Sequence, residues 1–346
     1  MNRKRLIKIQ IIVGICLIAM LYSFWPKGQV EADSGHRPVM GTFARVVVVA
    51  ADSNTARGCI EAAFEQLRSI ENLMSYHKDD SELTRINRNA AKGPVRVSES
   101  TFEVLQKALE FSELSDSAFD ITVGPLVDLW RSAAELNSVP TNAELREARS
   151  RVGFEKLILD ANEMSVKFTV DGMKLDLGGI AKGYAIDKAV EAMQKRGASG
   201  AMVDVGGDIR CFGRPPGGKE YWLIGLQDPG ETKEHIDSGK TLLVLKLTDA
   251  AVATSGGYRR FALIEGKKYS HIIDSKTGSS SEGLASVTII SKNATDTDAL
   301  ATAVSVMGPE KGLALIETIP QTEAILISAG PVFKKLQTTG AEKYIK

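Results

Sequence analysis

The segment Asp176-Leu-Gly-Gly-Ile-Ala-Lys-Gly183 divides the chain into two readings. It leaves an extended run at 174–178, read as a strand, and enters a helix expected over 180–196. Its glycines let backbone come close to a phosphate or a metal, and a helix N-terminus favours anions. The same spacing also makes a tight strand–helix turn. The segment lacks both the G-x-x-x-x-G-K-[ST] frame and G-x-G-x-x-G. On its N-terminal side the pattern is a strand at 43–50 followed by helices. One runs to about residue 74 behind Ser53 as N-cap, with Ile60, Phe64, Leu67 and Ile70 on one face. Others are expected at 98–117, in a turn opened by Pro125, and at 141–152 behind Thr141. Short strands at 156–160 and 165–170 intervene. On the C-terminal side, strands are expected at 201–205, 209–212, 221–227, 242–247, 261–264, 287–291 and 324–328. Helices follow at 295–307 and 309–317. No linker separates the halves, so the expected class is α+β, one catalytic unit over 36–340 built of mixed or antiparallel sheets with packed helices.

Composition narrows the function. Hydrophobic residues make up 43% and charged residues 25%, as in a globular domain and neither a disordered nor a polytopic membrane chain. Lys+Arg and Asp+Glu both number 43, so no net charge draws the chain to nucleic acid. Cys16, Cys59 and Cys211 form no C-x-x-C and no disulfide framework. Residues 9–25 are uncharged and mostly apolar behind Arg3, Lys4, Arg5 and Lys8. Residues 1–30 therefore read as a signal anchor. The alternatives are a signal peptide cleaved after Ala32 or, on Cys16, a lipoprotein signal, although Ile15 is large for that cleavage. Each places the remainder outside the cytoplasm, on the periplasmic side of the inner membrane.

Further segments carry candidate chemistry. Asp298 and Thr302, at i and i+4 of a helix, present two oxygens on one side, a donor pair suited to Mg²⁺, although the spacing alone favours an exposed helical pair or cap. His271, in Ser270-His-Ile-Ile-Asp274, is one of four histidines and a candidate general base beside Asp274. Arg259 and Arg260 are candidate phosphate contacts.

Met40-Gly-Thr42, the run from Met74 to Asn87, Ala118-Phe-Asp-Ile-Thr-Val-Gly-Pro-Leu-Val127, the 176–184 segment, Val205-Gly-Gly-Asp208, Thr254-Ser-Gly256, the 270–274 segment and Asp298-Ala-Leu-Ala-Thr302 occur in this order. The series resembles the ApbE family, the FAD:protein FMN transferases, over about residues 38–320. The resemblance implies a T-fold-like core and an exported, membrane-tethered, Mg²⁺-dependent enzyme. It implies that FAD is split at its pyrophosphate and FMN is passed to a Thr or Ser hydroxyl of an acceptor flavoprotein, while AMP leaves. The acceptor is a redox-complex subunit or an extracytoplasmic electron-transfer domain. Met40, His77, Ala118, Phe119, Asp120, Asp176, Lys182 and Ile272 would line the dinucleotide site. The Gly179 carbonyl, Asp298 and Thr302 would hold the metal, and His271 would accept the proton. The family pattern has Tyr where His77 stands, with Tyr76 beside it, so either ring is a candidate. It often has Pro where Ser275 stands. Two other readings use the same residues: a Mg²⁺-dependent FAD pyrophosphatase and a non-enzymatic FAD-binding protein.

Overall fold

In the computed structural model, residues 29–229, 241–257, 261–330 and 333–346 are described. The expected anchor, up to residue 28, and Arg259 and Arg260 lie outside them. The chain begins with β1 (Val30–Asp33), β2 (Arg37–Val39) and β3 (Thr42–Ala50), followed by α1 (Ser53–Met74) and α2 (Glu82–Asn89). Next come β4 (Val95–Arg96), α3 (Glu99–Leu114), α4 (Gly124–Leu136), α5 (Asn142–Ser150), β5 (Leu157–Asp160) and β6 (Ser165–Phe168). Past the glycine segment lie α6 (Ala181–Lys195), β7 (Gly200–Val205), β8 (Asp208–Gly213), β9 (Trp222–Gln227), β10 (Thr241–Leu247) and β11 (Ala250–Ser255). The chain closes with β12 (Phe261–Ile264), β13 (Lys267–Ser270), β14 (Leu284–Ser291), α7 (Ala294–Glu317), β15 (Glu323–Ser328) and β16 (Lys335–Gln337).

Local signals start these helices much as expected. Thr141 caps α5 in a capping box with Glu144. The helix α1 is capped one residue early: the Asp52 carboxylate, and not Ser53, accepts from the Asn54 and Thr55 amides. Its apolar stripe, Ile60, Phe64, Leu67 and Ile70, is buried. Gly308 breaks α7 just before Pro309, where two helices were expected.

The main sheet runs β1-β3-β7-β8-β11-β14-β15-β16, with β2 beside β3, and its ladders are antiparallel. The architecture is α+β. Alternation along the strands gives two faces. Val46, Val48, Ala201, Val203, Ala251 and Val287 join α1, α6 and α7 in one core. Val47, Ile209, Val252, Ile290 and Ile325 pack on the opposite face against the β9–β10 hairpin. A third cluster joins α4 and α5 to Ile264 and Ile273 around the β12–β13 ribbon. By length and composition α7 passes for a membrane span, but Asp298 and Ser305 are buried within it as it packs on the sheet and α6.

Residues 174–178 are not a ladder strand. Only Lys174 bridges, to Val123. The Leu175 amide donates to Asn87 Oδ1 (2.8 Å), Asn87 Nδ2 donates to the Leu175 carbonyl (3.0 Å), and the Asp176 amide reaches the Ile121 carbonyl. One side chain from α2 thus does what a neighbouring strand would do.

Candidate active site

The glycine segment delivers α6 against the first turns of α7. A Cβ on Gly183 would lie 2.1 Å from the Ala294 carbonyl oxygen, so only glycine permits this approach. The helix α6 has no side-chain cap from its own N-cap residue, Ile180. Its Gly183 amide instead donates to Asp298 Oδ2 of α7 at 3.0 Å. Lys182 points into the same corner. Its Nζ donates to Asp298 Oδ1 at 3.1 Å and makes a close ion pair with Asp208 of β8. Burial works against the charge on Lys182, but the two carboxylates outweigh it and hold the ammonium above the ordinary lysine range. Burial pushes the Asp298 carboxyl up, and Asp208 adds to that while Lys182 opposes it.

Thr302 sits one turn beyond Asp298, its hydroxyl 3.3 Å from the Asp298 carbonyl. A Cβ on Gly179 would lie 3.0 Å from Thr302 Oγ1 and 3.2 Å from the Phe119 ring. Gly179, distant in sequence, therefore meets Asp298 and Thr302 of one helical turn in one corner. A carbonyl, a carboxylate and a hydroxyl at a tight approach that a glycine eases are a donor set of the kind that fits a hard divalent cation. Among the described residues no group of three or more His, Cys, Asp or Glu gathers as a metal site. Asp208 was legible only as part of a glycine turn, and nothing local marked it as the partner of Lys182.

Asp176 is half-buried beside this corner. Its Oδ1 accepts from the Gly178 amide at 2.7 Å. Burial raises its pKa, Arg131 and His77 counteract, and Asp128 adds to the rise. His77 is exposed and lies edge-on to Tyr76, ring centroids 6.1 Å apart. The Tyr76 hydroxyl is already committed, donating to Asp128 Oδ1 at 2.7 Å under the Arg131 guanidinium. Lys174 holds the other Asp128 oxygen at 2.6 Å. Of the two candidate rings, His77 is thus the more accessible.

Met40, in the left-handed region at φ 54, packs half-buried against the core. Ala118 is half-buried, and Phe119 is buried edge-on against Phe111. The Asp120 carboxylate is spent inside the fold: it accepts from the Thr122 amide (2.8 Å) and hydroxyl (2.6 Å) and from the Phe154 amide (3.2 Å).

His271 is exposed, just past the end of β13 and not within a strand, while Ile272 is buried. Asp274, which flanks His271 in sequence, builds the turn that follows. The Asp274 carboxylate accepts from the Lys276 amide (2.8 Å) and the Thr277 hydroxyl (2.9 Å) and closes its own turn. The turn is sewn to the loop before Ala118: Ser275 Oγ donates to the Ser117 carbonyl (2.8 Å), and Lys276 pairs with Asp116. Trp130 Nε1 donates to the Gly278 carbonyl (2.8 Å). The 270–278 and 116–120 segments thus form one edge. A polar cleft of about 390 Å³ opens there, lined by Ser117, Asp120, Arg149, Ser275 and Lys276. A second cavity of about 330 Å³ lies between the sheet and the β9–β10 hairpin. Lys182, Asp298, Thr302 and His271 line neither.

The antiparallel α+β core brings two helices together at a glycine, with a lysine–carboxylate corner and an oxygen donor set beside it. The model of the ApbE family matches residues 40–326, and the chain belongs to that family. It is 34% identical over 329 residues to the FAD:protein FMN transferase of Treponema pallidum, covering 91% of this chain and 90% of that one. To the enzyme of the same name from Haemophilus influenzae it is 31% identical, covering 95% and 99%. The solved ApbE protein of Thermotoga maritima superposes with a TM-score of 0.81 at 32% identity, over 92% of this chain and all of that one. The flavin transferase ApbE of Vibrio cholerae gives 0.77 at 31%, with the same coverage.

Proposed function

We propose that the protein is a Mg²⁺-dependent FAD:protein FMN transferase with a T-fold-like core. The observation that carries this reading is the meeting of Gly179, Asp298 and Thr302 beside Lys182 in a member of the ApbE family. FAD is the substrate. Met40, His77, Ala118, Phe119, Asp120, Asp176, Lys182 and Ile272 line its site, with Asp120 acting through the turn that it closes. The Gly179 carbonyl, Asp298 and Thr302 hold Mg²⁺, which supplies charge neutralisation at the pyrophosphate when bound. Lys182 adds a fixed positive charge there. His271 takes the proton from the acceptor's Thr or Ser hydroxyl. A new O–P bond forms to the FMN phosphorus, the pyrophosphate P–O bond breaks, and AMP leaves. Phosphoryl-type transfer asks the protein mainly for positioning and electrostatics, so no covalent enzyme intermediate is needed. The exposed position of His271 suits an acceptor as large as a protein.

Residues 1–30 act as the membrane anchor, with the catalytic unit over 36–340 on the periplasmic side of the inner membrane. The acceptor is a flavoprotein: a redox-complex subunit or an extracytoplasmic electron-transfer domain. The deciding experiment incubates the full chain with FAD, Mg²⁺ and a candidate acceptor. FMN mass added to the acceptor, with AMP released, is expected. Free FMN and AMP with an unmodified acceptor would identify a pyrophosphatase. Bound, intact FAD would leave only a binding protein. An alkaline phosphatase fusion after residue 40 checks the topology and is expected to be active.

A further inference from the structure

The helix that carries Asp298 and Thr302 does not cap itself. Asn293 has the extended backbone of an N-cap residue but makes no side-chain cap bond. The first amides of α7 turn instead to Asp187 of α6. The Ala294 amide donates to Asp187 Oδ1 and the Thr295 amide to Oδ2, both at 2.9 Å, and the Thr295 hydroxyl donates to Oδ2 at 2.5 Å. Arg210 Nη1 of β8 donates to Oδ1 at 2.6 Å. Asp187 is 7% exposed, so a carboxylate there must be fully partnered, and these four donors provide that.

The arrangement is reciprocal. Gly183 and Asp187 are one turn apart on α6, as Ala294 and Asp298 are on α7. Asp298 caps the Gly183 amide and Asp187 caps the Ala294 and Thr295 amides, so each helix lends the other a carboxylate. The Arg210 bond extends the tie to β8, where Asp208 lies two residues away on the same side of the strand. One carboxylate therefore links the three elements that carry Lys182, Asp208 and the Asp298–Thr302 pair.

We infer that Asp187 is a positioning residue for the cation corner, fixing where α7 stands along α6 and hence how Asp298 and Thr302 face Gly179. This rests on the functional reading above. Asp187→Asn keeps the shape of the side chain but cannot accept from the two amides and Arg210 together. Outer residues that orient metal ligands typically govern about 10- to 100-fold in metal affinity.

The test is calorimetric titration of Mg²⁺ into the FAD-loaded full chain without acceptor, alongside thermal melting. Asp187→Asn is expected to weaken Mg²⁺ binding about 10- to 100-fold. The Mg²⁺ needed for half-maximal transfer should rise in parallel, with most of the rate recovered at saturation. Adding Asn293→Asp gives α7 a cap of its own. It should raise the melting temperature but leave Mg²⁺ binding weak, because the tie to β8 is still missing. Wild-type affinity in Asp187→Asn, or affinity that returns in step with melting temperature in the double variant, overturns the inference. If Asp187→Asn does not fold, Arg210→Lys reads the same tie with the cap intact, and unchanged Mg²⁺ affinity there also overturns it. A wild-type chain that takes up no Mg²⁺ sinks the functional reading and this one together. A wild type that binds alongside a variant that binds equally sinks only this one.

Discussion

At the α6–α7 crossing the carboxylates of Asp187, Asp208 and Asp298 are buried, and their partners come from other elements. At the 270–278 turn the Asp274 carboxylate serves its own turn, and His271 stands exposed beside it. The first region is fixed by long-range bonds and suits the constant geometry that the proposed cation and pyrophosphate binding demands. The second is a locally built turn fastened at a few points, and it presents a group to something arriving from outside. A buried polar network tolerates little change because each unmade bond costs its full desolvation. An exposed ring that the proposed reaction uses should matter more to activity than to the fold.

Substitutions can break or sharpen that contrast. Gly183→Ala should do most damage, since its Cβ would meet the Ala294 carbonyl, a backbone atom with nowhere to move. A stability loss of at least about 3 kcal/mol is expected, at the upper end for overpacking. A denaturant midpoint equal to wild type would show that the crossing is looser than drawn. Asp298→Ala should lower stability, since the Gly183 amide loses its partner, and bring Mg²⁺-dependent transfer below detection, because the charged donor of the set is lost. Normal turnover at saturating Mg²⁺ would remove Asp298 from the site.

His271→Ala reverses the balance. Transfer should fall by about 10²–10⁴-fold in single-turnover measurements, with stability within about 0.5 kcal/mol of wild type. If His271→Asn restores most activity, the ring merely braces its turn. The smallest effect belongs to Ser275→Ala, which deletes one bond to the Ser117 carbonyl. About 0.5–1.5 kcal/mol of stability should go, with transfer nearly intact. A large loss of transfer would mean that the turn must be held rigid for catalysis.

What the sequence revealed follows the range of the interactions. Amphipathic stripes and caps are local, so α1 and the Thr141 capping box were legible, and Asp52 displaced Ser53 by one residue only. The strand expected at 174–178 failed because it bridges at a single residue and the backbone bonds of Leu175 go to the Asn87 side chain, which leaves no periodic trace. The small-residue strand β11, Ala250–Ser255, lacks the bulky alternation that marks a strand. At the site, motif residues such as Lys182, Asp298 and Thr302 stood out in order. Asp187 lies four residues beyond the glycine segment, but what makes it consequential is Ala294 and Thr295, more than a hundred positions away.

Helix ends ordinarily fray, because their first amides find only water. In α7 those amides are held by Asp187, which Arg210 in turn fastens to the sheet. Opening the first turn of α7 therefore means parting two helices and a strand at once. Its exchange with solvent should then follow the cooperative unfolding of the core and not local breathing, so that a helix terminus is expected among the slowest-opening of the described residues.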